Sequence, residues 1–186
     1  MDEIIDIVDQ DGKPTGKSAL KSIVHKEGLP HNTIHLWLYT DDGNILLQQR
    51  SHKKAIFPLL WDVSVAGHID AGETFTFAAV REAKEEIGIS LNEDDLVHIG
   101  VFKHFSVYEE GNIKDFEFHQ VYLSKLTVGI NELIPQPEEV EALKLVSIEE
   151  FENLLANSKH NSHFVPSNKS YYKAVIETIK QKIDYK

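Results

Sequence analysis

The chain has 186 residues, 41% hydrophobic and 26% charged, which suits one folded domain with a sizeable core. A net charge of -11 argues against a nucleic-acid polymer as partner and means that an anionic substrate would have to be met by cations. The absence of cysteine excludes disulfides, thiolate metal sites and a cysteine nucleophile.

The opening MDEIIDIVDQDG is acidic and lacks a signal-peptide core. No apolar run approaches the roughly 18 residues that a membrane helix needs. The expectation is a soluble, cytoplasmic protein without membrane contact. In chain order, IIDIVD (4–9) reads as a short strand ended by the turn DQDG, and residues 17–25 read as helical. HNTIHLWLYT (31–40) reads as a buried strand, DDGN (41–44) as a hairpin turn, and ILLQQRS as the strand that pairs back. WDVSVAG (61–67) is a further short strand that feeds an acidic helix. LVHIGVFKHFSVY (96–108), the turn EEGN and KDFEFHQVYLSKL (114–126) predict a long hairpin, and LKLVSI (143–148) a last strand. Ser147 and Glu150 form a capping-box pattern for EEFENLLANS. KSYYKAVIETIKQKI (169–183) carries Tyr172, Val175, Ile176, Ile179 and Ile183 at helical spacing, so it predicts an amphipathic helix packed on the domain. The tract KHNSHFVPSN (159–168), with His160 and His163, reads as a capped loop rather than a metal site. Together these give a mixed α/β domain over residues 1–186: strand and hairpin (1–66), a glycine-bracketed acidic segment (67–89), then a hairpin and C-terminal helices (90–186).

The acidic segment is GHIDAGETFTFAAVREAKEEIGI, starting at Gly67. On a helix of about 100° per residue, Ala79, Val80, Ala83 and Ile87 share one face, suited to close packing on a sheet. Glu82, Glu85 and Glu86 share another face, roughly 120° round. Arg81 precedes Glu85 by four positions and can hold its carboxylate. Like charges so placed repel one another, and a hard divalent cation such as Mg2+ or Mn2+ would offset the repulsion. A solvated acidic face is the usual meaning of such a run. The flanks argue otherwise: a strand ending at Gly67, a tight loop at Gly72-Glu73 and a helix stop at Gly88.

This segment resembles the Nudix box: G, five residues, E, seven residues, REU, one residue, EE, one residue, GU, with U aliphatic. Gly67, Glu73, Arg81, Glu82, Glu85, Glu86, Gly88 and Ile89 match, and Ala83 is a small occupant of the first U position. The resemblance implies an α/β/α sandwich with a mixed central sheet and Mg2+-dependent attack of water on a diphosphate linkage, with Mn2+ as the alternative cation. It implies metal binding by Glu82, Glu85, Glu86 and the Gly67 carbonyl, with Glu73 and Arg81 orienting that cluster. A further carboxylate outside the box is often the general base; the candidates are Glu139, Glu138 and Glu117. Dimers are common in the family, so a homodimer is an expectation, although nothing in the chain fixes it.

Outside the box, GKPTGK, VHKEGLPHNTIHLWLY, LLQQRSHKKAIFPLLWD and VAGHIDAGE resemble the metal-dependent isopentenyl-diphosphate isomerases and the Nudix hydrolases nearest them. By that resemblance His25, His31 and His68 fall where the isomerase has metal-binding histidines, and Asp115 and Glu117 where it has two glutamates of the same metal site, the second also a catalytic acid, so Glu117 is a further candidate metal ligand. Two features point away from isomerisation. The isomerase needs a cysteine just before the Gly-His pair, where this chain has Ala66, and its Nudix box is typically degraded, whereas this one is intact. The reading is therefore a hydrolase of a small-molecule diphosphate, of nucleoside diphosphate type. A diphosphate isomerase and a non-catalytic nucleotide-binding module are the alternatives. Gln48, Arg50, Lys53 and Lys54 could hold phosphates in this acidic protein; Phe57 and Trp61 could flank a base or other ring, although next to a core strand they read first as core aromatics.

Overall fold

A computed structural model describes residues 2–108, 112–158, 160–161 and 169–184. The first two strands, β1 (Ile4–Val8) and β2 (Pro14–Leu20), form an antiparallel hairpin, with Ile4 opposite Leu20 and Ile7 opposite Lys17. Asp9 closes the turn, its Oδ1 accepting from the backbone N–H of Asp11 and Lys13 at 2.8 and 2.9 Å. This corrects the helix expected over 17–25, because the backbone of Lys17 to Leu20 is taken up by the ladder with β1. The helix, α1 (Lys21–Glu27), starts only where the strand ends, and it buries Val24.

The central strand is β3 (His31–Tyr39). On one edge it runs parallel to β8 (Ile113–Lys125), with His31 opposite Glu117 and Tyr39 opposite Lys125. On the other edge it changes partner. Thr33 to Leu36 pair with β6 (Val65–His68), and only Tyr39 pairs with β4 (Asn44–Arg50), opposite Ile45. The expected hairpin after DDGN is thus closed at one residue pair; β4 ladders instead with β9 (Val140–Ser147). The stretch expected as one strand over 61–67 is two: β5 (Trp61–Asp62) pairs with β4, and β6 pairs with β3. Ser64 lies in the crossing between them. It donates to the Leu46 carbonyl at 2.6 Å and accepts from the Leu38 N–H at 2.9 Å, satisfying backbone groups where the ladder is interrupted. The result is a notch in the sheet between β4 and β6.

Helix α2 (Phe75–Ile87) covers one face of the sheet. Its N-cap Thr74 accepts from the Phe77 N–H, and it ends at Gly88 with φ +73°. Ala78, Ala79, Ala83 and Ile87 are buried with Ile34, Leu36 and Leu38; Val80, expected on this face, is only half-buried. The small alanines let the helix backbone approach the sheet. Helices α3 (Ile148–Ala156, capped by Ser147) and α4 (Lys169–Asp184) bury Phe151, Tyr171, Tyr172, Val175 and Ile179 against Trp37, Leu47, Val121 and Leu123 on the other face. The layers are α/β/α around a mixed sheet. Strand β7 (Val97–Tyr108) pairs with β8 out to Tyr108 opposite Ile113, while residues 109–111 of the expected turn lie outside the described residues. Most of the 159–168 tract, including His163, also lies outside them. Among the described residues no helix is long and apolar enough to cross a membrane.

Candidate active site

Helix α2 and strand β6 meet beside the notch, and Gly67 is the point of contact. A β-carbon there would lie 2.2 Å from Glu82 Cδ, so the Glu82 carboxylate occupies the space a side chain would need. Arg81 locks this arrangement. Its Nε and Nη2 each reach Glu73 at 2.9 Å, its Nη1 donates to Glu82 at 2.9 Å and Glu85 at 3.1 Å, and its Nη2 donates to the His68 carbonyl at 3.0 Å. Glu73 in turn accepts from the Asp70 N–H at 3.1 Å. One guanidinium thereby ties the helix to the loop before it, which a point-charge lysine could not do.

The three glutamates expected to act together have different surroundings. Glu86 is buried, with Gln48 Nε2 and the Ala66 N–H each 3.3 Å from its Oε2. Glu82 is largely buried, whereas the Glu85 side chain is 59% exposed at the rim. Burial, with Glu82 close by, pushes the Glu86 carboxyl up to about 8, and burial pushes Glu82 up to about 7 against the pull of Arg81. Two hard oxygen donors whose burial disfavours their charged form are a donor set suited to a divalent cation, which would favour that form. Glu82, Glu86, Glu85 and the Gly67 carbonyl are the groups that could hold it.

The cations expected to meet phosphate are paired in this structure. Arg50 binds Asp62 at 3.2 Å and the Ile56 carbonyl at 3.1 Å. Lys54 is ion-paired with Glu139, Lys53 with Glu138, and His52 with Glu141 at 2.7 Å, so the 52–54 and 138–141 segments are joined side by side. Lys54, Arg50 and Glu139 line the cavity, whereas Gln48 is buried behind Glu86 and acts on that carboxylate.

The cavity holds about 530 Å³ and runs from Glu82 and Glu86 across the sheet to β7 and α4. At the α1 end the ring nitrogens of His25, His31 and His68 lie within 4.8 Å of one another. His25 Nε2 is 3.1 Å from His68 Nε2, and its Nδ1 is 2.7 Å from Asp115. His31 Nδ1 donates to the Leu29 carbonyl at 2.9 Å; its buried Nε2 lies 3.6 Å from Glu117 and has no hydrogen-bond partner among the described residues. An orphaned imidazole nitrogen facing two more imidazoles and two carboxylates fits a second metal ion.

The fold also brings His35, His119, His104 and Tyr171 to the cavity, residues that sequence reading left unassigned. The alternation of His31, Thr33 and His35 was a usable signal, since period two puts them on one face of a strand. Phe57, read as a core aromatic, lines the cavity in a left-handed conformation (φ 49°) and meets Tyr108 edge-on at 5.5 Å. Trp61 packs beneath Lys144, whose Nζ lies 4.3 Å from its ring centre.

A profile of the NUDIX domain matches residues 29–167. The chain is 37% identical over 168 residues to Nudix hydrolase 3 of Arabidopsis thaliana, a match that covers 89% of this chain but only 22% of that protein. It is 34% identical over 145 residues to an isopentenyl-diphosphate Delta-isomerase of Corynebacterium diphtheriae, covering 76% of each chain. Its fold is similar to the crystal structure of a Deinococcus radiodurans protein, with a TM-score of 0.68 at 21% identity over 96% of this chain and 98% of that one. The profile takes in the whole acidic helix and the Gly67 loop that cradles it, and the chain belongs to the Nudix family.

Proposed function

We propose that this protein hydrolyses a diphosphate linkage in a small molecule of nucleoside diphosphate type, using a divalent cation held by Glu82, Glu85, Glu86 and the Gly67 carbonyl. The observation that carries the reading is the pair of buried carboxylates, Glu82 and Glu86, raised in pKa and fixed by Arg81 and Gln48 at the edge of a large cavity. When bound, Mg2+ or Mn2+ neutralises phosphate oxygens and lowers the pKa of a water molecule. The chain supplies the rest. Glu139, which lines the same cavity, serves as general base, taking a proton from the attacking water. Lys54 covers Glu139 in the free protein; an incoming diphosphate competes for that ammonium and, in taking it, uncovers the carboxylate. Arg50 adds a second positive charge at the same wall. The net charge of -11 disfavours a nucleic-acid polymer, and the partner is the small-molecule diphosphate itself, with a homodimer as the assembly that light scattering would check.

A second reading has its own observation. The histidine cluster with Asp115 and Glu117, and the relative named as an isomerase, fit an isopentenyl-diphosphate isomerase with its metal at His25, His31 and His68. Ala66 weighs against it, since proton addition and removal on opposite faces of a substrate need two acid/base groups and this position supplies none. The test is hydrolysis by wild type, Glu85→Gln and Glu86→Gln. A hydrolase loses turnover in the variants, a binding module keeps its ligand, and an isomerase moves a double bond without releasing phosphate.

A further inference from the structure

His35 lies on β3 in register with Ala66, the residue whose N–H meets Glu86. Its ring lines the cavity and stacks on His119, centroids 4.0 Å apart and planes 24° from parallel. Its Nδ1 is 2.8 Å from the Tyr171 hydroxyl, which also receives the Trp37 indole N–H at 2.7 Å. These two distances fix a proton. Indole nitrogen is a donor only, so the Tyr171 oxygen accepts there. Tyr171 is 2% exposed, and a buried hydroxyl proton left without an acceptor is costly. Among the described residues the acceptor that faces it is His35 Nδ1, so Tyr171 donates to that nitrogen. His35 must then carry its own proton on Nε2.

We propose that His35 is a substrate-binding residue of this site, a neutral imidazole whose Nε2–H donates to an oxygen of the bound diphosphate, and that Trp37 and Tyr171 are positioning residues that hold its tautomer. This rests on the diphosphate reading above. Burial carries the His35 pKa down to about 4, so the ring stays uncharged in the neutral range. A neutral donor suits this location. An uncharged N–H contributes a directed hydrogen bond to the substrate without competing with a cation for the carboxylates of the site. The chain from Trp37 through Tyr171 to His35 joins α4 to the sheet, so the C-terminal helix contributes to the site through a residue that is itself almost wholly covered.

Nitrogen-15 NMR of the full-length protein tests the proposal without needing turnover. At pH 7 the His35 ring should show a bare Nδ1 and a protonated Nε2, and Tyr171→Phe should release it into a mixture of tautomers. Adding Mg2+ with inorganic pyrophosphate as probe should shift the His35 Nε2–H resonance. His35→Phe should weaken pyrophosphate binding about tenfold, and His35→Gln, which keeps a side-chain N–H, should recover part of the loss. A protonated Nδ1 in the wild type overturns the proposal. So does an unmoved Nε2–H resonance at millimolar pyrophosphate, or wild-type pyrophosphate affinity in folded His35→Phe. The hydrolase reading fails separately, through the absence of cleavage, and leaves these measurements standing.

Discussion

Gly67 and Glu82 share one space: the carboxylate of Glu82 sits where a β-carbon on residue 67 would be, 2.2 Å from Cδ. The strand and the acidic helix are therefore fitted to each other by the absence of a side chain. Gly67→Ala should push Glu82 out of place at a cost of about 1–3 kcal/mol in stability, typical of overpacking. The variant should fold, melt a few degrees lower and lose about 100-fold or more in hydrolysis, as read by calorimetry and phosphate release. Unchanged activity would show that the Glu82 position does not matter.

Glu86 is the most buried of the three glutamates and has both Gln48 and the Ala66 N–H directed at it. Glu86→Gln should cost about three orders of magnitude in kcat, since it removes a charged oxygen from the cation site. Glu85→Gln should be less severe, because Glu85 stands at the rim with its side chain 59% exposed. Equal losses in the two variants would contradict this ranking.

The raised carboxyls also predict a pH effect on stability. In the unfolded chain Glu82 and Glu86 titrate near 4.5; in the folded chain they titrate near 7 and 8. Folding therefore takes up protons, and their contribution is full below pH 4.5 and lost as pH rises towards 8. His35 and His119 act in the opposite sense. Burial lowers them to about 4 and about 3 from 6.5, so they cost stability as pH falls below 6.5. Thermal melts in EDTA should thus decline from pH 6.5 to 8.5, and the decline should be shallower in Glu86→Gln. Mg2+ should reverse it, because a cation competes with protons for the same oxygens. Identical slopes for wild type and Glu86→Gln would remove Glu86 as the source.

Glu139 is paired with Lys54 across the wall of the cavity. Glu139→Gln should lower kcat by about 100-fold with little change in KM, as loss of a general base does. Lys54→Ala should chiefly raise KM, since it removes a phosphate contact while leaving the carboxylate. A Glu139→Gln variant with full kcat would move the base elsewhere, with Glu117 the next carboxylate to replace.

The acidic helix was legible from residue types and spacing, because its glycines, Arg81 and glutamates all sit within one short stretch. The second helical face was legible too, from Tyr172, Val175, Ile176 and Ile179. What the sequence concealed depends on pairing at a distance. Lys17 to Leu20 looked helical in isolation and were claimed by the ladder to β1. WDVSVAG looked like one strand because the switch at Ser64 is between two partners that are remote in sequence. The divergence of Glu85 from Glu86 is a matter of depth, which helical spacing does not encode. Lys54 looked available for phosphate, but Glu139 comes to it from 85 positions away. The alternation of His31, Thr33 and His35 put His35 on a face with His31, but its role depends on Tyr171, which meets its ring from the last helix.

The central claim is that the buried glutamates of α2 serve hydrolysis of a diphosphate. Its most direct test is a cleavage screen of the purified protein with Mg2+ and with Mn2+, over nucleotides, dinucleotides, sugar nucleotides, thiamine diphosphate and prenyl diphosphates. The account predicts metal-dependent cleavage of at least one of them, abolished by Glu86→Gln, with no double-bond migration in isopentenyl diphosphate. Cleavage of none with either cation, or isomerisation without phosphate release, would contradict it.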